Sequence, residues 1–184
     1  MLDWVFRAAR VGASLSLMAS LMSAPQAWAQ VTFAGRVVGV SDGDTVNVLT
    51  EQACDDKKDC RSGKRQYRVR LAEIDAPETG QPFGASSKRM LSNLVFNKQV
   101  SVQRVDIDRY GRVVGQIYLQ KRWINAEMVE NGGAWVYRQY SKTPKLLKLE
   151  EKARSRKQGL WALQADQVVP PWQWRKEKKA SQSR

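Results

Sequence analysis

The sequence predicts an α+β fold that is mainly β: a five-stranded barrel of the OB type with three flanking helices. Three observations lead there. Short β-rich runs separated by turn signals dominate the region after residue 30, helical periodicities follow the third and fifth of these runs, and 184 residues hold one good-sized core rather than two.

Taken in order, residues 1–29 read as an export signal. Arg7 and Arg10 precede a modestly apolar run over residues 11–22, and Ala27-Trp28-Ala29 has the small-x-small pattern of a cleavage site, so the mature chain is expected to begin at Gln30. A spanning helix needs about 20 apolar residues, and this run is shorter. No stable membrane insertion is therefore expected after cleavage, and the protein is expected in the periplasm or outside the cell. Asp3 and the serines of the run keep an uncleaved anchor as the alternative. Residues 30–161 then form the barrel domain, and 162–184 a basic tail rich in Trp and Lys.

Residues 32–40 and 45–49 are the first two strands, joined by Ser41-Asp42-Gly43-Asp44, where Asp-Gly marks a hairpin. Asp44 shares parity with Val46 and Val48, which places its carboxylate on the core-facing side at the strand's end. Cys54 and Cys60, the only cysteines, bracket the polar residues 55–59. In an oxidising compartment such a pair reads as a disulfide; the alternative, a redox or metal pair, lacks the Cys-x-x-Cys spacing and any further soft ligand.

The third strand, 67–71, leads into Ile74-Asp75-Ala76-Pro77-Glu78-Thr79. Pro77 fixes its own φ and drives Ala76 toward an extended conformation, so the turn carrying Asp75 and Glu78 is stiff. Arg70 and Asp75 have opposite strand parity, and bringing them together takes a bend between them. Residues 82–97 read as a helix with Met90, Leu91, Leu94 and Val95 on its apolar face and Pro82 in its first turn. Strands 100–105 and 113–119 follow, connected through Asp108-Arg109-Tyr110-Gly111. A short helix over 125–130 is expected to be capped by Asn125 and closed by Asn131-Gly132. Thr143-Pro144 opens a longer helix that stops at Gln158-Gly159. The Pro-Pro-Trp-x-Trp segment and Lys-rich end read as a loose tail.

Charge and composition narrow the chemistry. The formal net charge is +13, of which Arg7 and Arg10 against Asp3 contribute only one, so the domain itself is strongly basic and suited to a polyanion. The absence of His removes zinc sites of the His-x-x-x-His type, Ser-His-Asp triads and nuclease mechanisms that need imidazole. No P-loop motif occurs. What remains is carboxylates, Arg, Lys, Tyr and a hard cation. Asp44, Asp75 and Glu78 from two turns, with Arg70 and Arg112, are expected to form a phosphodiesterase site, because crowded carboxylates call for an oxygen-seeking ion and guanidinium forks match phosphate.

Asp42-Gly43-Asp44-Thr45-Val46, then Arg70-Leu71 with Ile74-Asp75-Ala76-Pro77-Glu78-Thr79, then Asp108-Arg109-Tyr110-Gly111-Arg112 together resemble the staphylococcal nuclease (thermonuclease) family. The similarity runs from about Val31 to Trp161, with the motifs in family order. It implies Ca²⁺, with Mg²⁺ the lesser candidate, held by Asp44, Asp75 and the backbone carbonyl of Ala76. It further implies Glu78 acting on the attacking water, Arg70 and Arg112 on the scissile phosphate, and cleavage of DNA and RNA at the P–O5′ bond to leave 3′-phosphate ends. Ala76 stands where the family has Thr, a change that a backbone ligand tolerates. Tyr110 and Tyr140 match family tyrosines near the nucleotide, Arg138 replaces another, and Arg109 lies beside them. For Tyr110, Trp135 and Tyr140, barrel packing is the competing reading to base stacking. The rival function is a non-catalytic nucleic-acid-binding module of the same fold, and a third reading is a basic envelope-associated structural protein.

Overall fold

The structure, a computed structural model, describes residues 31–54 and 59–182. The expected signal segment lies outside the described residues.

Strands β1 (Thr32–Val40), β2 (Thr45–Ala53), β3 (Cys60–Arg61) and β4 (Lys64–Leu71) come first, followed by the two-residue β5 (Ile74–Asp75) and helix α1 (Gly84–Val95). Strands β6 (Gln99–Ile107), β7 (Val113–Leu119) and β8 (Arg122–Trp123) lead to α2 (Ile124–Glu130), β9 (Trp135–Val136), α3 (Pro144–Ser155) and α4 (Pro171–Gln182). Antiparallel pairing runs β4-β2-β1-β6-β7, and a parallel pairing of β4 with β7 closes the ring into a five-stranded barrel. The closing register, Val69 opposite Val113 and Leu71 opposite Gly115, sets the Arg70 end of β4 beside the start of β7.

Alternation builds the interior. Val37, Val46, Val48, Val69, Leu71, Val100, Val102 and Ile117 point inward, and Leu91, Val95, Met128, Val129 and Leu146 from the helices seal the barrel. Burying a side chain of this size is worth about 1.5–3 kcal/mol, so this alternation fixes which face of each strand looks outward.

Four expectations need correction. Strand β2 runs past residue 49 to Ala53, where its end pairs with Lys64 after a register shift. Helix α1 starts at Gly84 rather than residue 82, because Phe83 sits left-handed at φ 70. Asn125 does not cap α2: it is fully buried, accepts the Ile117 N–H at 2.9 Å and donates to Ala72 O at 3.0 Å, so it satisfies backbone groups where β4 parts from β7. The tail is not loose. A fourth helix, α4, docks through the buried Pro171 and through Trp172, which stacks on Tyr137 with centroids 5.4 Å apart and meets Trp135 edge-on at 5.7 Å. Pro171 at a first-turn position and a following run without Gly or Pro favour this helix.

Cys54 and Cys60 are bridged, with Cα atoms 6.0 Å apart, which is ordinary disulfide spacing.

Candidate active site

Two turns meet at one end of the barrel. The β1–β2 turn delivers Asp44, which is 7% exposed, and its approach depends on Gly43: a Cβ there would lie 1.9 Å from Ser87 Oγ and 2.7 Å from the Ala76 Cβ. Asp42 Oδ1 accepts the Asp44 N–H at 3.0 Å and shapes the turn. The second turn follows β4. Glu73 adopts φ 66, the left-handed region that costs a residue with a Cβ about 1 kcal/mol or more. Its carboxylate accepts hydrogen bonds from Gln116 Nε2 at 2.6 Å, Ser141 Oγ at 2.8 Å and Thr143 Oγ1 at 2.5 Å, which hold it there. This is the bend that reconciles the parities of Arg70 and Asp75.

Past the bend, Asp75 is 1% exposed and the neighbouring Ala76 donates its N–H to Asp44 Oδ2 at 2.8 Å, so the two turns are directly hydrogen-bonded. Arg70 joins them. Its Nη2 lies 2.7 Å from Asp75 Oδ1 and 3.4 Å from Asp44 Oδ2, while its Nη1 donates to Leu71 O and Ile74 O, both at 2.9 Å. Glu78 sits at the rim; its backbone N–H donates to Gln81 Oε1 at 3.2 Å, and Gly84 lets α1 start against its carbonyl, since a Cβ there would lie 1.9 Å from Glu78 O.

Electrostatics follow the burial. Burial and the nearby Asp44 charge push the Asp42 carboxyl up to about 6. Asp75 is also raised, by burial first, with Arg175 and Arg70 pulling it back part of the way. Burial opposes the charge on Arg70, but Asp44 and Asp75 outweigh it and raise its value.

Not every expected partner converges. Arg112 lies at the start of β7 near Arg70 by register, but its Nε donates to Asp108 Oδ2 at 2.7 Å rather than to the Asp44–Asp75 cluster. Burial works to raise Asp108, and the bonds from Arg112 and from the Tyr110 N–H overcome it, so the carboxyl lies below its ordinary value. Tyr110 is 69% exposed under Arg109 at 4.9 Å and Arg112 at 5.6 Å. Tyr140 is 66% exposed, against the Tyr137 ring, whereas Trp135 is buried and packs on Trp161. Arg138 is ion-paired with the buried Glu150.

Sequence reasoning missed Arg175. Its Nη2 lies 2.7 Å from Asp75 Oδ2, and its Nη1 lies 2.7 Å from Glu78 Oε1 and 3.3 Å from Asp75 Oδ1. A Lys-rich end offered no signal for this beyond Pro171 and the helix-forming run that positions it.

The donor set is all oxygen and suits a hard cation. Among the described residues no three Asp, Glu or Cys side chains converge tightly enough to hold an ion by themselves. The carboxylates that could contribute to holding one are Asp44 and Asp75, whose turns are joined by the Ala76 N–H.

The closed OB-type barrel thus carries at its rim interlocked carboxylates and guanidiniums, a set suited to phosphodiester chemistry of the kind a nuclease-type hydrolase performs. The chain belongs to the staphylococcal nuclease homologue family, whose pattern it matches over residues 68–163. It is 45% identical over 144 residues to a Haemophilus influenzae protein described as an uncharacterized endonuclease, covering 78% of this chain and 74% of that one. A Shigella flexneri protein named micrococcal nuclease is 38% identical over 170 residues, covering 86% and 88%. A rice protein named probable staphylococcal-like nuclease CAN1 is 42% identical over 115 residues, 62% of this chain and 34% of that one.

Proposed function

We propose that this nuclease hydrolyses DNA and RNA at the P–O5′ bond, leaving 3′-phosphate ends, with one Ca²⁺, in preference to Mg²⁺, held by Asp44, Asp75 and the Ala76 carbonyl. The observation that carries the reading is the pair of turns locked by the Ala76-to-Asp44 hydrogen bond and by Arg70 between both aspartates. When bound, the ion offsets charge on a phosphate oxygen.

The chain's own groups do the rest. Glu78, at the rim and partly exposed, takes the proton of the attacking water. Arg70 is the proposed partner of the scissile phosphate; Leu71 O and Ile74 O already hold its side chain in one conformation, so little entropy is lost when charge builds in the five-coordinate state. Arg112, whose Nε is engaged by Asp108, is the proposed donor to a second phosphate oxygen through its remaining N–H groups. Exposed Tyr110 and Tyr140 offer stacking faces for bases, and Arg109, which lies over the Tyr110 ring, and Arg138 are the proposed contacts for the nucleic-acid backbone. The Cys54–Cys60 bridge supports export to the periplasm or beyond.

The test is cleavage of single- and double-stranded DNA and RNA with Ca²⁺ or with chelator, followed by end mapping. Ca²⁺-dependent cleavage leaving 3′-phosphates is expected, with Glu78→Gln slowed about a hundred- to ten-thousandfold at near-normal binding. Equal cleavage in chelator, or 5′-phosphate ends, overturns the mechanism. Binding without cleavage in both conditions makes the chain a non-catalytic binding module.

A further inference from the structure

We propose that Arg175 is a built-in competitor for the cation: it clamps helix α4 over Asp75 and Glu78, and binding of the divalent ion displaces it. The inference rests on the assignment of Asp44 and Asp75 as the ion's carboxylates.

The geometry is specific. Asp75 is 1% exposed and both its oxygens are taken by guanidiniums: Oδ1 lies 2.7 Å from Arg70 Nη2 and 3.3 Å from Arg175 Nη1, and Oδ2 lies 2.7 Å from Arg175 Nη2. Arg175 reaches Glu78 as well, at 2.7 Å, so one side chain ties together a proposed metal ligand and the proposed general base. Both contacts oppose the chemistry. A positive group on Asp75 stands against a second cation at the same carboxylate, and the guanidinium on Glu78 occupies the oxygen Oε1 that the attacking water would otherwise reach. Arg70, by contrast, is anchored by two backbone carbonyls and stays.

Arg175 is mounted so that it can leave. The start of α4 is fixed: Gln81, buried at 5% exposure, donates to Val169 O at 2.5 Å, Pro171 is buried, and Trp172 stacks on Tyr137. One turn on, Arg175 is 42% exposed, and the helix beyond it carries Lys176, Lys178 and Lys179 on an exposed surface. Between this helix and residues 78–80 lies a cleft of about 330 Å³, lined by Glu78, Thr79, Trp174, Arg175, Lys178 and Lys179. Space and solvent are therefore available for the guanidinium to swing off the acids, freeing the exposed end of α4 while its anchored start stays seated.

The experiment is calorimetric Ca²⁺ titration of the full chain without nucleic acid, for wild type, Arg175→Gln, Arg175→Lys, Lys179→Gln and Asp75→Asn, with hydrogen exchange of residues 173–182. Arg175→Gln is expected to tighten Ca²⁺ binding about tenfold, the scale of a lost competing ion pair. Arg175→Lys, which keeps the charge and loses the fork, is expected to fall between. Lys179→Gln removes the same charge from the same helix and is expected to change affinity less than about twofold, which separates displacement from a general field effect. Ca²⁺ should accelerate exchange in α4 of the wild type and leave Arg175→Gln, already fast, unmoved.

Unchanged or weaker Ca²⁺ binding in Arg175→Gln overturns the inference, as does a tenfold gain in Lys179→Gln. In either case, wild-type binding that Asp75→Asn abolishes leaves the metal assignment standing. Wild type and Arg175→Gln both failing to bind Ca²⁺ overturns assignment and inference together.

Discussion

Arg70→Ala isolates how the acid pair is held. Truncation removes the cation that lies 2.7 Å from Asp75 and 3.4 Å from Asp44, and these carboxylates have only 1% and 9% of their side-chain surface exposed. Arg175 compensates Asp75 alone, so Asp44 keeps only its hydrogen bonds from Ala76 N–H and Thr45 Oγ1. The carbonyls of Leu71 and Ile74 lose their donor as well. Breaking a buried pair by removing one partner costs about 3–5 kcal/mol, which for a domain of this size lowers Tm by roughly 6–20 °C. Urea unfolding in chelator measures it directly. The same titration in saturating Ca²⁺ should recover about 2–3 kcal/mol in the variant, since a ligand at a hundred times its Kd adds about 2.7 kcal/mol and the ion stands in for the lost charge. A loss below about 1 kcal/mol in chelator would show that the aspartates do not depend on Arg70, and the account of the site would fail at its first step.

Two further outcomes follow from the same geometry. Gly43→Ala puts a methyl where Ser87 Oγ and the Ala76 Cβ already lie, so the β1–β2 turn must move off α1; a loss of about 1–3 kcal/mol with Ca²⁺ affinity down at least tenfold is expected, and intact affinity would detach Asp44 from the ion. Asp108→Ala frees the Tyr110 and Arg112 N–H groups and the Arg112 guanidinium, costing about 1–3 kcal/mol at pH 7. Because the folded Asp108 carboxyl lies below its ordinary value, the wild-type advantage is full above about pH 4 and shrinks as pH falls below it; an advantage that grows toward pH 3 in urea titrations would contradict this.

The parts of the fold legible in the sequence were those fixed by local chemistry. Alternation located Val113–Leu119 to the residue, and the parity of Asp44 with Val46 and Val48 correctly turned it inward. The need for a bend between Arg70 and Asp75 was visible, but the residue that makes it was not. Glu73 is held left-handed by Gln116, Ser141 and Thr143, at sequence separations of 43 to 70 that no local pattern carries. Asn125 departs from its expected role for the same reason: a good cap residue by type, it is claimed instead by the backbone of Ile117 in β7 and of Ala72 just past β4. Helix α4 was missed because its anchoring is tertiary, through Trp172 on Tyr137 and Gln81 on Val169, while its composition is that of a solvated tail. Arg175 reached the acids across 100 residues by that route.

The central proposition, that Asp44 and Asp75 hold a single Ca²⁺ at the rim of the barrel, is tested most directly by calorimetric titration of Ca²⁺ into the wild type and Asp75→Asn. One ion per chain in the wild type and none in the variant, with the variant still folded, is the result this account predicts. Equal binding by the two proteins would place the ion elsewhere and contradict it.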